Sequence, residues 1–271
     1  MLVLLVIVGL VAAAVVGAYW TFGASMRGEL NALEAAAEPP TPIMVTEQML
    51  ASLPEPAQRY LRAAGVVGTT IPRLVRLTQT GRIRSGAEAG WMNFEAEETY
   101  STNPPAFLWS AYFPTARTPF VLGRDVYADG RGGILMKMMA LLPVADEHGG
   151  ELRAAGLMRY LNEMSWFPAA LLGDNVEIIA RDAQSFTVRL TDRGLVAEAI
   201  VSVDDAGQMT NFRAQRFNTA TRSMQVWETP ITDYADYSGY RLPRSGSAVW
   251  RSPQGDLTYI ELDVTSVRYE D

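Results

Sequence analysis

The chain of 271 residues contains no cysteine, a single histidine, His148, and a single lysine, Lys137. Without cysteine it can form no disulfide. It also cannot carry the lipid by which bacterial lipoproteins are anchored through a cysteine. Zinc sites built from cysteine and histidine are excluded as well, because one histidine is the only ligand of that kind. We therefore expect no metal site.

The common catalytic motifs are missing too. The sequence has no HExxH, no P-loop, no GxGxxG and no G-x-S-x-G elbow. A Ser-His-Asp triad would have to use His148, which lies in the polar segment Asp146–Gly150, predicted to be a solvated loop. We predict no catalytic residue and no cofactor.

Three neighbouring glutamates, Glu95, Glu97 and Glu98, suggest paired carboxylates for acid–base chemistry. Glu95 and Glu97 alternate with Phe94 and Ala96, which puts these two glutamates on the solvated outer face of a strand. A hydrolase that uses only aspartate and glutamate has no other support in the sequence.

Positive charge is scarce. The formal net charge is −7 and the isoelectric point is near 4.9, which argues against a nucleic-acid surface or a polybasic contact with anionic lipid. With 48% hydrophobic and 20% charged residues, the chain has the composition of a folded domain.

The first charged side chain is Arg27, and Leu2–Trp20 is an almost unbroken apolar run. That run is long enough to cross the ~30 Å hydrocarbon core of a bilayer. A cleaved signal peptide is the alternative, but it would have a basic start and a shorter apolar core. We predict an uncleaved anchor in the bacterial inner membrane. Arg27 alone favours a cytoplasmic domain by the positive-inside rule.

Three regions follow from these patterns. Residues 1–24 are the predicted transmembrane anchor. Residues 25–45 are a juxtamembrane helix, Ser25–Glu38, and a linker that begins with the helix-breaking run Pro39–Pro42. Residues 46–271 form one domain, which opens with a short helix from Pro56 to Gly65.

From Arg73 onward, apolar and polar residues alternate as they do in strands. Turn-forming segments such as Asp129-Gly130 and Asp192-Arg193-Gly194 separate these runs. We predict a mainly β fold (α+β), a large curled antiparallel sheet or half-barrel. The apolar positions of the runs are Val75, Leu77, Ile83; Met92, Phe94, Ala96, Tyr100; Phe107, Trp109, Ala111, Phe113; Ile134, Met136, Met138; Phe186, Val188, Leu190; Leu195, Ala197, Ala199, Val201, Val203; and Ile260, Leu262, Val264.

One helix, Glu151–Met164, interrupts the strands, and its apolar side predicts a lid over the concave face of the sheet. Arg159 and Glu163 lie four residues apart on this helix and can pair. We predict that this pair fixes the lid against the sheet, since a buried ion pair is costly without further hydrogen bonds.

Several segments resemble an uncharacterised bacterial domain family over roughly Thr46 to Asp271. They are Leu53–Leu61, Trp91, Asp129–Gly132, and Arg159–Leu161 with Glu163 and Trp166–Pro168. The family has no assigned activity and implies no catalytic residue.

Tyr234–Pro243 is similar to a strand-end pattern of LolA/LolB-like lipoprotein carriers. This second resemblance implies a half-barrel that holds acyl chains under a helical lid. It also implies a domain on the periplasmic side, against the single charge of Arg27.

Clustered aromatic and methionine side chains are usually core residues, but the same residues would line a cavity for an acyl chain. The candidate ligand-binding residues are Phe107, Trp109, Met136, Met138, Trp166 and Phe167. We expect a membrane-anchored envelope protein that binds a lipid or other apolar ligand, with no reaction implied and no protein partner identified. The alternative is an interaction module with a fully packed interior that scaffolds envelope partners.

Overall fold

A computed structural model describes residues 1–39, 44–115 and 120–270 of the chain. Its helices are α1 (Leu2–Ala36), α2 (Glu47–Ala51), α3 (Glu55–Ala64) and α4 (Gly150–Glu163). Its strands are β1 (Leu74–Ile83), β2 (Met92–Ser101), β3 (Ala106–Phe113), β4 (Val121–Ala128), β5 (Arg131–Met138), β6 (Leu142–His148), β7 (Val176–Asp182), β8 (Ser185–Asp192), β9 (Leu195–Val203), β10 (Met209–Asn218), β11 (Ser223–Glu228), β12 (Ile231–Tyr237), β13 (Tyr240–Arg251) and β14 (Leu257–Glu270).

All fourteen strands belong to one antiparallel sheet, in the order β6-β5-β4-β3-β2-β1-β14-β13-β11-β10-β9-β8-β7, with β12 paired to β13. The sheet curls until distant strands meet. The phenol of Tyr127 on β4 donates a hydrogen bond of 2.5 Å to Asp192 on β8. Arg193, in the turn after β8, pairs with Asp129, in the turn after β4, at 2.8 Å. The predicted curled, half-barrel-like antiparallel sheet is confirmed.

Strand β4 shows how the two faces of the sheet differ. Leu122, Arg124 and Val126 point to the outer, convex face, where α1 packs. Asp125 and Tyr127, between them, point to the concave face. This alternation is the ordinary period of a strand, and here it gives each face its own helix.

Helix α4 crosses the concave face and contacts β4, β5, β9 and β10, as expected for the predicted lid. It approaches the sheet most closely at Gly132, where a Cβ atom would lie 2.1 Å from the carbonyl oxygen of Leu152. Glycine is needed there to let the two backbones meet. Short 3₁₀ helices, Met164–Trp166 and Pro168–Leu172, continue the chain from the lid into the core.

Helix α1 is continuous from the apolar run through the predicted juxtamembrane helix, and it ends at Ala36 rather than at Glu38. Among the described residues, it is the one helix long and apolar enough to cross a membrane. Pro39 follows the helix, and the rest of the predicted proline-rich break, residues 40–42, lies outside the described residues.

The C-terminal half of α1 packs along the convex face of the sheet. Phe22 is buried with Leu122 and Ala140, and Leu33 is buried with Leu74 and Leu108. Two ion pairs join the helix to the strands: Glu29 with Arg124 at 2.7 Å and Glu34 with Arg76 at 2.7 Å. The end of α1 is therefore part of the folded domain.

The short helix predicted from Pro56 to Gly65 is present as α3. It begins one residue earlier, at Glu55, and Gly65 follows it in the left-handed conformation, with φ of 82°. Glycine is favoured at this position because it has no Cβ to clash with the preceding turn. The buried side of α3, which includes Tyr60 and Leu61, joins the main core.

Candidate functional site

A cavity of about 470 Å³ lies between α4 and the concave face of the sheet. Its wall is largely aromatic and aliphatic, with a buried polar region where α4 meets β2 and β4 and other polar side chains, such as Asn162, Arg216 and Thr229, elsewhere in the lining. The lining includes Gln79, Trp109, Phe113, Asp125, Met136, Ala145, Arg159, Glu163, Trp166, Trp250, Tyr259 and Leu262.

The structure divides the six candidate ligand-binding residues into three groups. Trp109, Met136 and Trp166 line the cavity. Phe107 and Phe167 are fully buried in the packed core, at 0% and 1% exposure, and do not reach the cavity wall. Met138 lies at the end of β5, partly exposed and outside the cavity lining.

The polar region of the wall is a buried cluster around Arg159. The Arg159 guanidinium donates to Glu163 at 2.7 Å, to Asp125 at 2.5 Å and to Glu98 at 2.8 Å. Each carboxylate comes from a different element: α4, β4 and β2. The predicted pair Arg159–Glu163 is present, and the same guanidinium also joins the lid to two strands.

A second chain of hydrogen bonds supports this cluster from the sheet. Trp109 donates through Nε1 to the Gln79 amide oxygen at 3.1 Å, and Gln79 donates through Nε2 to Glu98 at 3.3 Å. The Arg159 guanidinium also lies over the Phe107 ring, 4.7 Å from its centroid. Arg159 is therefore held by aromatic faces as well as by carboxylates.

Charge in the cluster is unbalanced, since three carboxyl groups face one guanidinium. Burial holds the pKa of the Glu98 carboxyl well above its usual range, and burial also raises the pKa of Glu163. Desolvation disfavours a buried carboxylate, and each additional negative charge nearby disfavours it further. Both carboxyl groups therefore bind a proton more readily than an exposed glutamate does.

One oxygen of the cluster has no hydrogen-bond partner among the described residues. Oε2 of Glu163 is buried and accepts no hydrogen bond from a side-chain or backbone donor in the described ranges. The nearby charge of Glu163 also raises the pKa of Glu98, after the larger effect of burial. Two adjacent carboxyl groups that share a proton satisfy both oxygens at lower cost than two charges would.

Sequence reasoning missed Glu98, Asp125 and Gln79. The alternation of β2 contained a signal for Glu98, because it follows Phe94 and Ala96 at intervals of two and so faces the core. Gln79 carried the same signal, because it follows Val75 and Leu77 at intervals of two on β1. Asp125 carried no such signal. Asp125 is 34 residues from Arg159, and only the folded sheet brings the two together.

The other titratable residues considered from the sequence lie outside the cluster. Glu95 and Glu97 are exposed, as predicted. The side chain of His148 is also exposed, but the segment predicted as a loop, Asp146–Gly150, forms the end of β6 and the first residue of α4. Across the described residues, no group of three or more aspartate, glutamate or histidine side chains is arranged to hold a metal ion.

Chemically, the cavity is largely apolar, with a buried carboxyl cluster in its wall. The apolar part can bury hydrocarbon, and the carboxyl cluster can accept hydrogen bonds from a hydroxyl or amine. A cavity of this size lies in the range of small-molecule sites, about 300–1,000 Å³.

Residues 44–262 match the sequence profile of a family described as "Family of unknown function (DUF6544)". No curated protein matches the chain. The match covers most of the region over which a resemblance to an uncharacterised family was noted in the sequence.

Similar solved structures include a LolA superfamily protein from Nitrosomonas europaea, with 7% sequence identity, a TM-score of 0.44, and coverage of 84% of this chain and 94% of that chain. A DUF1329 family protein from Desulfovibrio piger has 10% identity, a TM-score of 0.45, and the same coverage of 84% and 94%. A domain from Vibrio parahaemolyticus, named as an outer membrane lipoprotein-sorting protein, has 11% identity, a TM-score of 0.37, and coverage of 72% and 85%. These likenesses concern the arrangement of the strands.

Proposed function

We propose that this chain, which belongs to the family DUF6544, is a membrane-anchored envelope protein that binds a lipid or other apolar ligand beneath α4. The observation that carries this proposal is the cavity of about 470 Å³ between the lid and the sheet. The alternative, an interaction module that scaffolds envelope partners, assumes a fully packed interior. A cavity of this size favours ligand binding over that alternative.

The cavity wall suggests how such a ligand lies. Trp109, Trp166 and Met136 offer broad apolar contact to a hydrocarbon chain, and methionine adapts to chains of different shape. The cluster around Arg159 supplies a buried polar contact at Glu163. An amphiphile would bury its chain against the aromatic residues and place a hydroxyl or amine at this carboxyl group.

Anchoring in the membrane is the second part of the proposal. The run Leu2–Trp20 is about 28 Å long at ~1.5 Å per residue, close to the thickness of a hydrocarbon core. Phe22 is buried against the sheet, so cleavage near Ser25 would remove a core side chain. This contact favours an uncleaved anchor.

We place the anchor in the inner membrane and the domain on the periplasmic side. The carrier-like segment Tyr234–Pro243 supports that side, and the single charge of Arg27 opposes it. A C-terminal alkaline phosphatase fusion should be active. An inactive fusion beside a fluorescent cytoplasmic reporter would reverse the orientation.

Native mass spectrometry of the full-length protein, extracted in detergent, tests the binding proposal. We expect the wild type to retain a lipid. Ala145 lines the cavity on the edge strand β6, so the larger side chain of Ala145→Trp should occupy part of the space and reduce lipid retention. Val196 is 56% exposed on β9, and Val196→Trp is the matched control that should retain it. A wild type that carries no ligand, or equal retention in both variants, would contradict the proposal.

A further inference from the structure

An exposed apolar surface lies where α1 leaves the predicted membrane span. It consists of Phe120, Leu141, Leu142 and Val144, and we call it the apolar edge. The three aliphatic residues are 41%, 58% and 56% exposed, which is unusual for large hydrophobic side chains close together at the edge of a sheet.

The apolar edge is continuous with the anchor helix. The ring of Phe120 packs edge-on against Tyr19, with centroids 6.1 Å apart. Ala140, in the turn beside the edge, is buried with Phe22. Tyr19 and Trp20 close the apolar run of α1, and aromatic residues at that position usually lie at the level of the lipid headgroups. The apolar edge therefore lies at the same level.

Along both β6 and α1, the side chains change from apolar to charged in the same direction. Strand β6 begins with the exposed residues Leu142 and Val144 and ends with Asp146, Glu147 and His148. Helix α1 is apolar up to Phe22 and then carries Glu29, which pairs with Arg124 on the sheet. Such a shared gradient is what a bilayer surface would produce at one end of the domain.

The turn between β5 and β6, which leads into the apolar edge, has an unfavourable backbone conformation. Met139 and Ala140 have φ values of 53° and 60°, in the left-handed region that residues with a Cβ disfavour. A hairpin turn of this kind normally uses Asn-Gly. The sequence instead keeps apolar residues at the tip, and Leu141 donates its amide to Met138 at 3.1 Å to close the turn.

We propose that the apolar edge lies in the headgroup layer of the bilayer that α1 spans and holds the half-barrel on the membrane surface. This rests on the proposed membrane anchor. Partial burial of apolar side chains in that layer is favourable, typically to a depth of ~5–10 Å for surface-bound elements. Met136, in the cavity wall, is three residues along β5 from Met139, a distance of about 10 Å. The cavity thus lies close to the lipid from which a ligand would come.

The absence of cysteine makes the test direct. Single cysteines replace Leu142, Val196 and Val8, which are 58%, 56% and 58% exposed. Each full-length variant is labelled with a thiol-reactive fluorophore and reconstituted in vesicles of phosphatidylethanolamine and phosphatidylglycerol, with or without brominated acyl chains. Val8→Cys reports on the anchor, and Val196→Cys reports on a surface away from the edge.

We expect the labels at Val8→Cys and Leu142→Cys to emit at shorter wavelength and to be quenched by brominated lipid, and the label at Val196→Cys to do neither. If Val8→Cys is quenched and Leu142→Cys behaves as Val196→Cys does, the apolar edge does not contact lipid and the anchor still stands. A shift at Leu142→Cys without bromine quenching would place a protein there and also overturn the proposal. If Val8→Cys is not quenched, the anchor itself fails.

Discussion

Replacing Arg159 by leucine tests how the lid is held to the sheet. The substitution removes three ion pairs at once and leaves Glu98, Asp125 and Glu163 without their shared cation. The side chain of Arg159 is 15% exposed, and that of Glu98 is 0% exposed. Removing one partner of a buried pair typically costs about 3–5 kcal/mol of unfolding free energy. We expect Arg159→Leu to fall in that range.

The cost of this substitution should depend on pH. Burial already raises the pKa values of Glu98 and Glu163, and loss of the guanidinium would raise them further. A carboxyl group whose pKa is higher in the folded state than in the unfolded state stabilises the fold when it is protonated. This contribution is complete below the unfolded-state pKa of about 4.3 and is lost as the pH rises through the folded-state pKa. The variant should therefore be closer to wild type at about pH 5 than at about pH 8.

Urea unfolding of the full-length protein in detergent, followed by tryptophan fluorescence, measures both effects. Arg189→Leu is the matched control, because Arg189 also pairs with two carboxylates, Glu177 and Glu198, but its side chain is 38% exposed. We expect little change in the control at either pH. A loss in Arg159→Leu as small as in the control, or a loss that is the same at both pH values, would refute a buried cluster whose carboxyl groups have raised pKa values.

Three further substitutions test other contacts. Glu98→Gln removes one of the two buried carboxyl groups with raised pKa values, so stability should fall less between about pH 5 and pH 8 than it does in wild type. Glu95→Gln on the exposed face should unfold as wild type does across that range; urea midpoints measure both, and an equal fall in Glu98→Gln and wild type would contradict the prediction. Trp166→Ala should lower the free energy of unfolding by about 3–5 kcal/mol in thermal unfolding and should also reduce lipid retention, because Trp166 is 6% exposed and lines the cavity. A variant with unchanged stability and unchanged lipid retention would place the lid outside the core. Gly132→Ala should lower the melting temperature by displacing the lid, since its Cβ would lie 2.1 Å from a backbone oxygen. At Gly133 the nearest atom is 3.5 Å away, so Gly133→Ala should melt as wild type does, and equal melting temperatures for the two variants would argue against the close approach.

The sequence predicted the strands where one face is apolar and the other polar. The alternation of Phe94, Ala96 and Tyr100 was enough to place β2 and to put Glu95 on the outside. Glu98 follows the same alternation, and its burial could have been predicted from its position. The lid was predictable because its apolar residues recur at helical spacing.

Other features depend on the curvature of the sheet. Strand β4 has helices on both faces, so Leu122, Arg124 and Val126 follow no simple alternation of apolar and polar residues. The contact between Phe22 and the sheet was also hidden, because an apolar residue at the end of a predicted span looks like part of that span. These contacts join segments far apart in sequence, and local periodicity has no signal for them.

The candidate ligand-binding residues show the same limit. Trp109 and Phe107 are two residues apart on one face of β3, yet Trp109 reaches the cavity and Phe107 packs beneath it. Periodicity assigned both residues to the concave face. The position of the lid on that face determines which side chains can contact a ligand.

Above all, we propose that an apolar ligand occupies the space between α4 and the sheet. Photo-crosslinking of the full-length, vesicle-reconstituted protein with a stearic acid that carries a diazirine in its chain tests it most directly. We predict crosslinks to cavity residues, Trp109, Met136 and Trp166, and fewer of them in Ala145→Trp. Crosslinks confined to α1 and the outer surface, with none in the cavity, would contradict the account.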